Sequence, residues 1–389
     1  MSSPLFIDDT DRYSRFRLIA WWDQERLKNA KVLVVGAGAL GNEVIKNLAL
    51  LGVGSTYIVD FDHVDDTNLS RTVLFRRRDV GRPKAIVAAE AAADLNPDCK
   101  FIPIQKNIVY EVGLGLFHEA DVVIGCLDNR EARLWVNRFC WRTNTPWVDG
   151  GIQEINGVVK VFTPPGDACY ECAMTENDYH LINLRYSCPL LRREDILAGK
   201  VPTAPTISSV IAGLQTQEAL KLIHKMPVQG GEAFVFNGMT NRSYNTRFQR
   251  KEECLSHETD PEPTNVEVGI IHKVKDFFEC VRAIHPGDEP LRLDLDRDLV
   301  TALACGNCDH RQRVFRPLQS VGMHEAQCPN CQQTLRPELV HRIFSGDAIE
   351  EETLGDIGVP PYDCLRVRIG EMPTVWRLMG DRAIVMGDL

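Results

Sequence analysis

The feature that most constrains this chain is a β-branched run, Lys31-Val-Leu-Val-Val35, that passes without a spacer into Gly36-Ala-Gly38-Ala-Leu-Gly41. The run reads as a buried parallel strand, and the three glycines stand where backbone must turn tightly and let an anion approach amide groups. A helix comes next: Val44, Ile45, Leu48, Ala49 and Leu51 recur at helical spacing until Gly52 and Gly54 break it before Thr56-Tyr-Ile-Val59. Strand, glycine turn, helix and strand make one βαβ unit. Further strands at 101–104 and 121–125, with an alanine-rich helix at 85–95, extend it into a doubly wound, Rossmann-like parallel sheet. Asp60, nineteen residues past Gly41 at the end of the second strand, is placed to take ribose hydroxyls.

Up to Asp60 a nicotinamide or flavin enzyme would read the same way. The chain beyond the second strand differs: Asp60-Phe-Asp62, Asn68-Leu-Ser-Arg71, Gly81-Arg-Pro-Lys84, then Cys126-Leu-Asp128-Asn129. This order resembles the adenylation domain of ubiquitin-activating enzymes and their bacterial relatives, the ThiF, MoeB and HesA family, over residues 11 to about 257. The chemistry of such a domain explains the residue types. A carboxylate is already ionised at neutral pH, so its attack on the α-phosphate of ATP needs no general base; the obstacle is repulsion between anions. Cations are therefore the required tools. The resemblance implies Arg71 and Lys84 on the triphosphate, Asn68 orienting it, and Asp128 as an oxygen ligand for Mg2+. Gly36, Gly38, Gly41, Asp60, Asp62 and Asn129 complete the implied nucleotide site. It further implies that Arg15, in Arg12-Tyr-Ser-Arg15, serves the neighbouring subunit's ATP site in a homodimer. Thr72 departs from the family, in which glutamine often follows the arginine.

Beyond Gly150 the texture changes to Gly157-Val-Val-Lys-Val-Phe162 and a Pro-Pro-Gly turn, which reads as antiparallel strands. A polar stretch at 174–205 precedes a helix at about 206–225. In the family such a loop crosses over the substrate tail, and Cys188 within it is the candidate thioester acceptor. Family acceptors commonly stand nearer the helix-starting Pro-Thr segment, where no cysteine occurs here. The charged, proline-containing stretch 251–266 reads as a linker into a smaller α+β domain, 258–389.

Thirteen cysteines would be puzzling as disulfides, but eight residues fall into metal spacings. Cys305-Gly-Asn-Cys308 and Cys328-Pro-Asn-Cys331, nineteen residues apart, form a zinc ribbon at 305–331. Cys169-x-x-Cys172 and Cys254-x-x-His257 are two knuckles about eighty residues apart, and the resemblance implies a structural zinc there, with His257 replacing the usual fourth cysteine. Two Zn2+ per chain are expected. His310 and His324 read as surface residues; Cys99, Cys126, Cys140, Cys280 and Cys364 read as core or incidental thiols.

A formal charge of −10, from 44 basic and 54 acidic residues, disfavours nucleic acid and anionic membranes as partners. No apolar run reaches membrane-spanning length and the start, Met1 to Arg12, lacks a signal-peptide pattern, so a cytoplasmic protein is expected. The expected activity is ATP-dependent adenylation of the C-terminal glycine of a small ubiquitin-like protein, then a thioester on Cys188 and transfer to a conjugating enzyme. The alternatives are a sulfur-carrier adenylyltransferase of the thiamine or molybdopterin type, a tRNA-modifying dehydratase, a peptide-modifying adenylating enzyme, and, from other classes, a nucleotide-binding adaptor without catalysis or an oxidoreductase. Net charge disfavours the tRNA reading. Intact Arg71, Lys84 and Asp128 argue against the adaptor, and the missing second mononucleotide half against the oxidoreductase.

Overall fold

The computed structural model describes residues 11–179 and 203–388, which divide into two compact units. The first comprises 11–106, 119–173 and 203–257; the second comprises 107–118, 174–179 and 258–388.

In the first unit a short helix α1 (Gln24–Asn29), capped by the Asp23 carboxylate accepting from Arg26 N, leads into β1 (Lys31–Val35). Next come α2 (Ala39–Leu51), β2 (Ser55–Val59), α3 (Lys84–Leu95) and β3 (Lys100–Ile104). The chain then passes through the second unit, where α4 (Leu114–Glu119) begins, and returns as β4 (Val122–Gly125), α5 (Arg130–Arg142), β5 (Trp147–Gln153) and β6 (Asn156–Phe162). After residue 203 the elements are α6 (Pro205–Ile223), β7 (Glu232–Asn237) and β8 (Arg242–Arg247). One sheet carries all eight strands in the order β3-β2-β1-β4-β5-β6-β7-β8, parallel through β5 and antiparallel beyond.

Two consequences fix the site. The chain winds outward from β1 in both directions, so the carboxyl ends of β1 and β4 part there and open a crevice, the usual ligand position in such sheets. The sheet is also anchored rigidly beneath it. Val32, Val34, Val44, Ile45, Ile58, Val122, Ile124 and Val148 are fully buried between sheet and helices, each side chain contributing about 1.5–3 kcal/mol. The helix expected at 206–225 is α6, begun by Pro205 at its first turn; its buried Gln215 donates to the Gly125 and Val148 carbonyls, at 2.9 and 3.2 Å.

The second unit is built on β9 (Thr264–Val266), α7 (Val274–Ile284), β10 (Leu291–Cys305), β11 (Arg311–Pro317), β12 (Leu335–Phe344), β13 (Cys364–Ile369) and β14 (Met372–Leu378). The order is β11-β10-β13-β14-β9, with β12 also paired to β10. The long β10 pairs with β13 near its start and with β11 near its end, so one strand serves both the main sheet and the cysteine ribbon. α7 turns Phe277, Phe278 and Val281 onto a core shared with Leu293 and Trp376. The stretch expected as a linker contains the division between the units, at His257 and Glu258, and its second part joins the second unit: Arg366 pairs with Glu258 at 2.9 Å and Asp260 at 2.6 Å, and residues 264–266 form β9.

The 107–118 segment is held by this unit with buried polar groups. Arg297, 7 % exposed, donates to the Val109 and Val112 carbonyls and faces Asp363, whose carboxylate accepts from Leu114 N. Burial pushes the Asp363 carboxyl up from the ordinary aspartate range, with the Arg297 guanidinium opposing. No helix among the described residues is long and apolar enough to cross a membrane.

Candidate functional site

The glycine turn sits where β1 meets α2, and its three glycines are there for three reasons. Gly36 has φ +98°, and a Cβ on it would lie 2.4 Å from the Cys126 carbonyl oxygen. A Cβ on Gly41 would lie 1.9 Å from the Gly36 carbonyl oxygen, so the helix can close onto the strand only without a side chain. Gly38, the residue preceding the first turn of α2, differs: among the described residues beyond its chain neighbours, nothing lies within 4 Å of the place its Cβ would take. The open side of the turn is a helix N-terminus, which favours an anion.

Around this turn the expected residues gather. Asp60, at the end of β2, accepts from Ala37 N at 2.7 Å and from Asp62 N at 2.8 Å, tying the glycine turn to the next loop. Burial raises its pKa from the ordinary range; the Lys84 charge and the two amides oppose that. Lys84 opens α3, and its Nζ donates to Asp62 at 2.9 Å. Asn68, buried, accepts from Asp65 N through Oδ1 and closes a 3₁₀ turn that presents Arg71. The Arg71 guanidinium donates to the Thr67 carbonyl at 2.7 Å and makes no ion pair among the described residues, so its charge is available. Thr72 donates its hydroxyl to the Asn68 carbonyl, a turn-closing role that a longer amide would not fill.

On the β4 side Cys126 N donates to the Val35 carbonyl, placing the end of β4 against the end of β1. Asp128 comes next, exposed, with Asn129 Nδ2 at 3.4 Å; Asn129 Oδ1 meanwhile caps α5 by accepting from Ala132 N. An exposed, lightly engaged carboxylate is a hard oxygen donor that suits Mg2+. Arg15 is exposed, before a 3₁₀ turn at Phe16–Leu18, and makes no ion pair among the described residues. Cys188 lies outside the described residues, as does most of the 174–205 stretch.

Two groups are invisible in the sequence motifs. Asn42, fully buried on α2, donates to the Ala37 and Gly38 carbonyls and accepts from Leu74 N at 2.9 Å. It clamps the glycine turn to the loop that carries Arg71. A signal is present, since an asparagine stands in the first turns of a helix otherwise patterned with apolar residues, but its partner thirty-two residues away is not readable from the pattern. The second group is Arg133 with Asp149 and Lys160. Asp149, fully buried within β5 opposite Gly125 of β4, accepts from Arg133 Nε at 2.9 Å and from Lys160 Nζ at 3.1 Å.

The structure brings both metal sets together. In the knuckle pair, Cys169 Sγ lies 3.7 Å from Cys172 Sγ and 3.5 Å from Cys254 Sγ, and Cys172 Sγ lies 3.3 Å from His257 Nε2. In the ribbon, Cys305 to Cys331, Cys308 to Cys328 and Cys308 to Cys331 measure 3.5, 3.6 and 3.8 Å. Thiolates about 2.3 Å from one zinc in a tetrahedron stand about 3.8 Å apart, so both donor sets fit that ion. Backbone amides of Lys251 and Asn307 point at Cys172 and Cys305, each at 3.4 Å, as thiolate ligands require. The fourth cysteine's replacement is stacked on Trp141, and burial holds the His257 pKa below its ordinary value, favouring the neutral, ligating ring.

Comparison with known proteins gives the family and the fold. The ThiF family matches residues 10–256. The sulfur carrier protein ThiS adenylyltransferase of Escherichia coli is 32 % identical over 250 residues, 63 % of this chain and 94 % of that one. Ubiquitin-like modifier-activating enzyme 5 of Dictyostelium discoideum is 29 % identical over 243 residues, 58 % of this chain and 61 % of that one. Among solved structures, E. coli MccB with ATP superposes with a TM-score of 0.53 at 26 % identity, covering 66 % of this chain and 77 % of that one. The chain belongs to the ThiF family.

Proposed function

We propose that this ThiF-family chain adenylates the C-terminal glycine carboxylate of a small ubiquitin-like or sulfur-carrier protein. The observation that carries the reading is the pairing of an open glycine turn with a cation, Arg71, whose charge is not spent on an ion pair among the described residues, while Lys84 is held by the exposed Asp62. Gly38 leaves room for phosphate at the α2 N-terminus, and Arg71, on the loop that Asn42 ties to that turn through Leu74 N, makes no ion pair among the described residues. In the reaction a carboxylate oxygen attacks the α-phosphorus of ATP; the new acyl–O–P bond forms as the bond to pyrophosphate breaks. Arg71 and Lys84 offset the charge on the phosphate oxygens, Asn68 fixes the turn that presents Arg71, and Asp60 holds the glycine turn and takes the ribose hydroxyls. Mg2+ held by Asp128 would supply countercharge to the pyrophosphate as it leaves. The two Zn2+ sites are structural, closing the knuckles and the ribbon.

Activation then continues on the protein. The Cys188 thiolate attacks the acyl carbon, AMP leaves with its phosphate oxygen, and the thioester passes to a thiol of a conjugating enzyme. Arg15 acts across a homodimer in the cytoplasm. The named relatives support a small-protein substrate: one carries a sulfur-carrier activity in its name and another a ubiquitin-like modifier. A peptide substrate is the second reading, favoured by the solved complex of MccB, a microcin C7 biosynthetic enzyme, with N-formylated MccA.

The test is ATP–pyrophosphate exchange with candidate carriers. Exchange that requires a carrier with a free C-terminal glycine, and is abolished by Asp128→Ala, supports the reading; exchange without a carrier, or undiminished in Asp128→Ala, overturns it. Cys188→Ala should retain exchange and lose a thiol-labile adduct. Mixing Arg15→Ala with Lys84→Ala chains should restore partial activity if sites are shared, and no rescue would place Arg15 outside the partner's site.

A further inference from the structure

Adenylation brings two anions into one crevice, and each needs its own cations. On the β1 side the phosphates have the glycine turn, Arg71 and Lys84. On the β4–β5 side the sequence motifs supply no cation at all, yet the structure has a built one. Asp149, fully buried within β5 and paired with Gly125 at the carboxyl end of β4, receives Arg133 Nε at 2.9 Å and Lys160 Nζ at 3.1 Å. A buried carboxylate requires a partner. It does not require two, so the pair of cations more than offsets Asp149, and the other carboxylate that acts on Arg133 is the exposed Asp128.

Counting donors shows where that charge is presented. A guanidinium has five N–H groups. Arg133 uses Nε–H on Asp149 and both hydrogens of Nη2, one on the Leu127 carbonyl and one on the Gly150 carbonyl at 3.1 Å. No acceptor among the described residues meets Nη1, and the side chain is 14 % exposed, so its one open edge carries two donors. The same contacts fix its place. Leu127 precedes Asp128, Gly150 follows Asp149, and Cys126 touches Gly36, so Arg133 stands one strand end away from the phosphate cradle. The Lys160 ammonium lies 5.0 Å from the Tyr170 ring centroid, which keeps it beside Asp149.

We propose that Arg133, held by Asp149 and backed by Lys160, is the receptor for the substrate's reactive carboxylate, binding it through Nη1 and delivering it beside the α-phosphate. The inference rests on the adenylation reading and deepens it: specificity is for a free C-terminal carboxylate, imposed by a built group and not by charge in general. Lys160 is the positioning residue. Removing its charge leaves Arg133 neutralised by Asp149 and its open edge a weaker anion site.

The test uses the full chain, a non-hydrolysable ATP analogue and two synthetic peptides ending in Gly-Gly, one with a free carboxylate and one with a terminal carboxamide. Charge-assisted hydrogen bonds predict a preference for the carboxylate of about 10- to 100-fold in the natural chain. Lys160→Gln and Arg133→Lys should each reduce that ratio to about threefold or less, a change that a structural role alone does not produce. A ratio near one in the natural chain, a ratio kept in both variants, or a loss confined to ATP affinity overturns the proposal. Binding of neither peptide by a chain that still binds ATP refutes the glycine-tail reading and this inference together.

Discussion

Gly38→Ala separates a phosphate-binding turn from a merely tight one. Among the described residues beyond its chain neighbours, nothing lies within 4 Å of the added methyl, and the backbone there, φ −74° and ψ −156°, is extended and open to alanine. Losing glycine at a helix N-cap costs up to about 1 kcal/mol, and reduced freedom of the unfolded chain returns about 0.4–1 kcal/mol. The melting temperature should therefore move by only about 4 °C or less. ATP is another matter. A phosphate bonded to the first amides of α2 would occupy the space of that methyl, and displacing it forfeits two charge-assisted hydrogen bonds of about 1.5–3 kcal/mol each. The expected loss is about 3–6 kcal/mol, on the order of 10² to 10⁴ in Kd, by titration calorimetry. Gly41→Ala is the matched control: its methyl would stand 1.9 Å from a backbone oxygen, so it should lower the melting temperature sharply. A Gly38→Ala chain with natural ATP affinity would refute the assignment of this turn to phosphate.

Other perturbations probe the surrounding structure. Asn42→Ala leaves the buried Leu74 amide and two turn carbonyls without their partner, which should cost about 1–3 kcal/mol for each stranded group, and weaken ATP binding although Asn42 touches no ligand; denaturant titration and calorimetry read both, and unchanged affinity would detach the clamp from the site. Arg297→Met strands the buried Asp363 carboxylate and should destabilise the chain by about 3–5 kcal/mol in denaturant titration, whereas a loss below about 1 kcal/mol would show that the 107–118 segment is held by its apolar contacts. Native mass spectrometry should find two zinc ions per chain, and Cys305→Ser with Cys308→Ser should remove one of them; one or none in the natural chain would contradict the donor geometry.

The range of the forces involved decides which parts of the molecule are legible in its sequence. β1, α2 and β2 are legible because their patterns are local: a β-branched run, apolar positions at helical spacing, and glycines whose steric reasons lie within a few residues. The glycine turn, Asp60, Lys84 and both cysteine sets are legible for a similar reason, since chemistry fixes their spacing. Asn42, Arg133, Asp149 and Lys160 are not, because each derives its role from partners eleven or more residues away, brought together only by strand pairing and helix packing. The fate of 107–118 is equally hidden: no shift of composition marks a segment whose partners are Arg297, Tyr362 and Asp363. The charged stretch after Lys251 is legible as the passage between the two units, which divide at His257 and Glu258, but nothing local shows that Arg366 gathers two of its carboxylates.

The central claim is that the crevice at the ends of β1 and β4 holds a triphosphate against Arg71, which makes no ion pair among the described residues, and Lys84, whose ion pair among them is with the exposed Asp62. Calorimetric titration of the purified chain with Mg-ATP and with NAD tests it directly. The account predicts one ATP per chain, lost in Arg71→Ala and in Lys84→Ala, and no heat with NAD. Binding of NAD in place of ATP, or ATP affinity untouched by both substitutions, would contradict it.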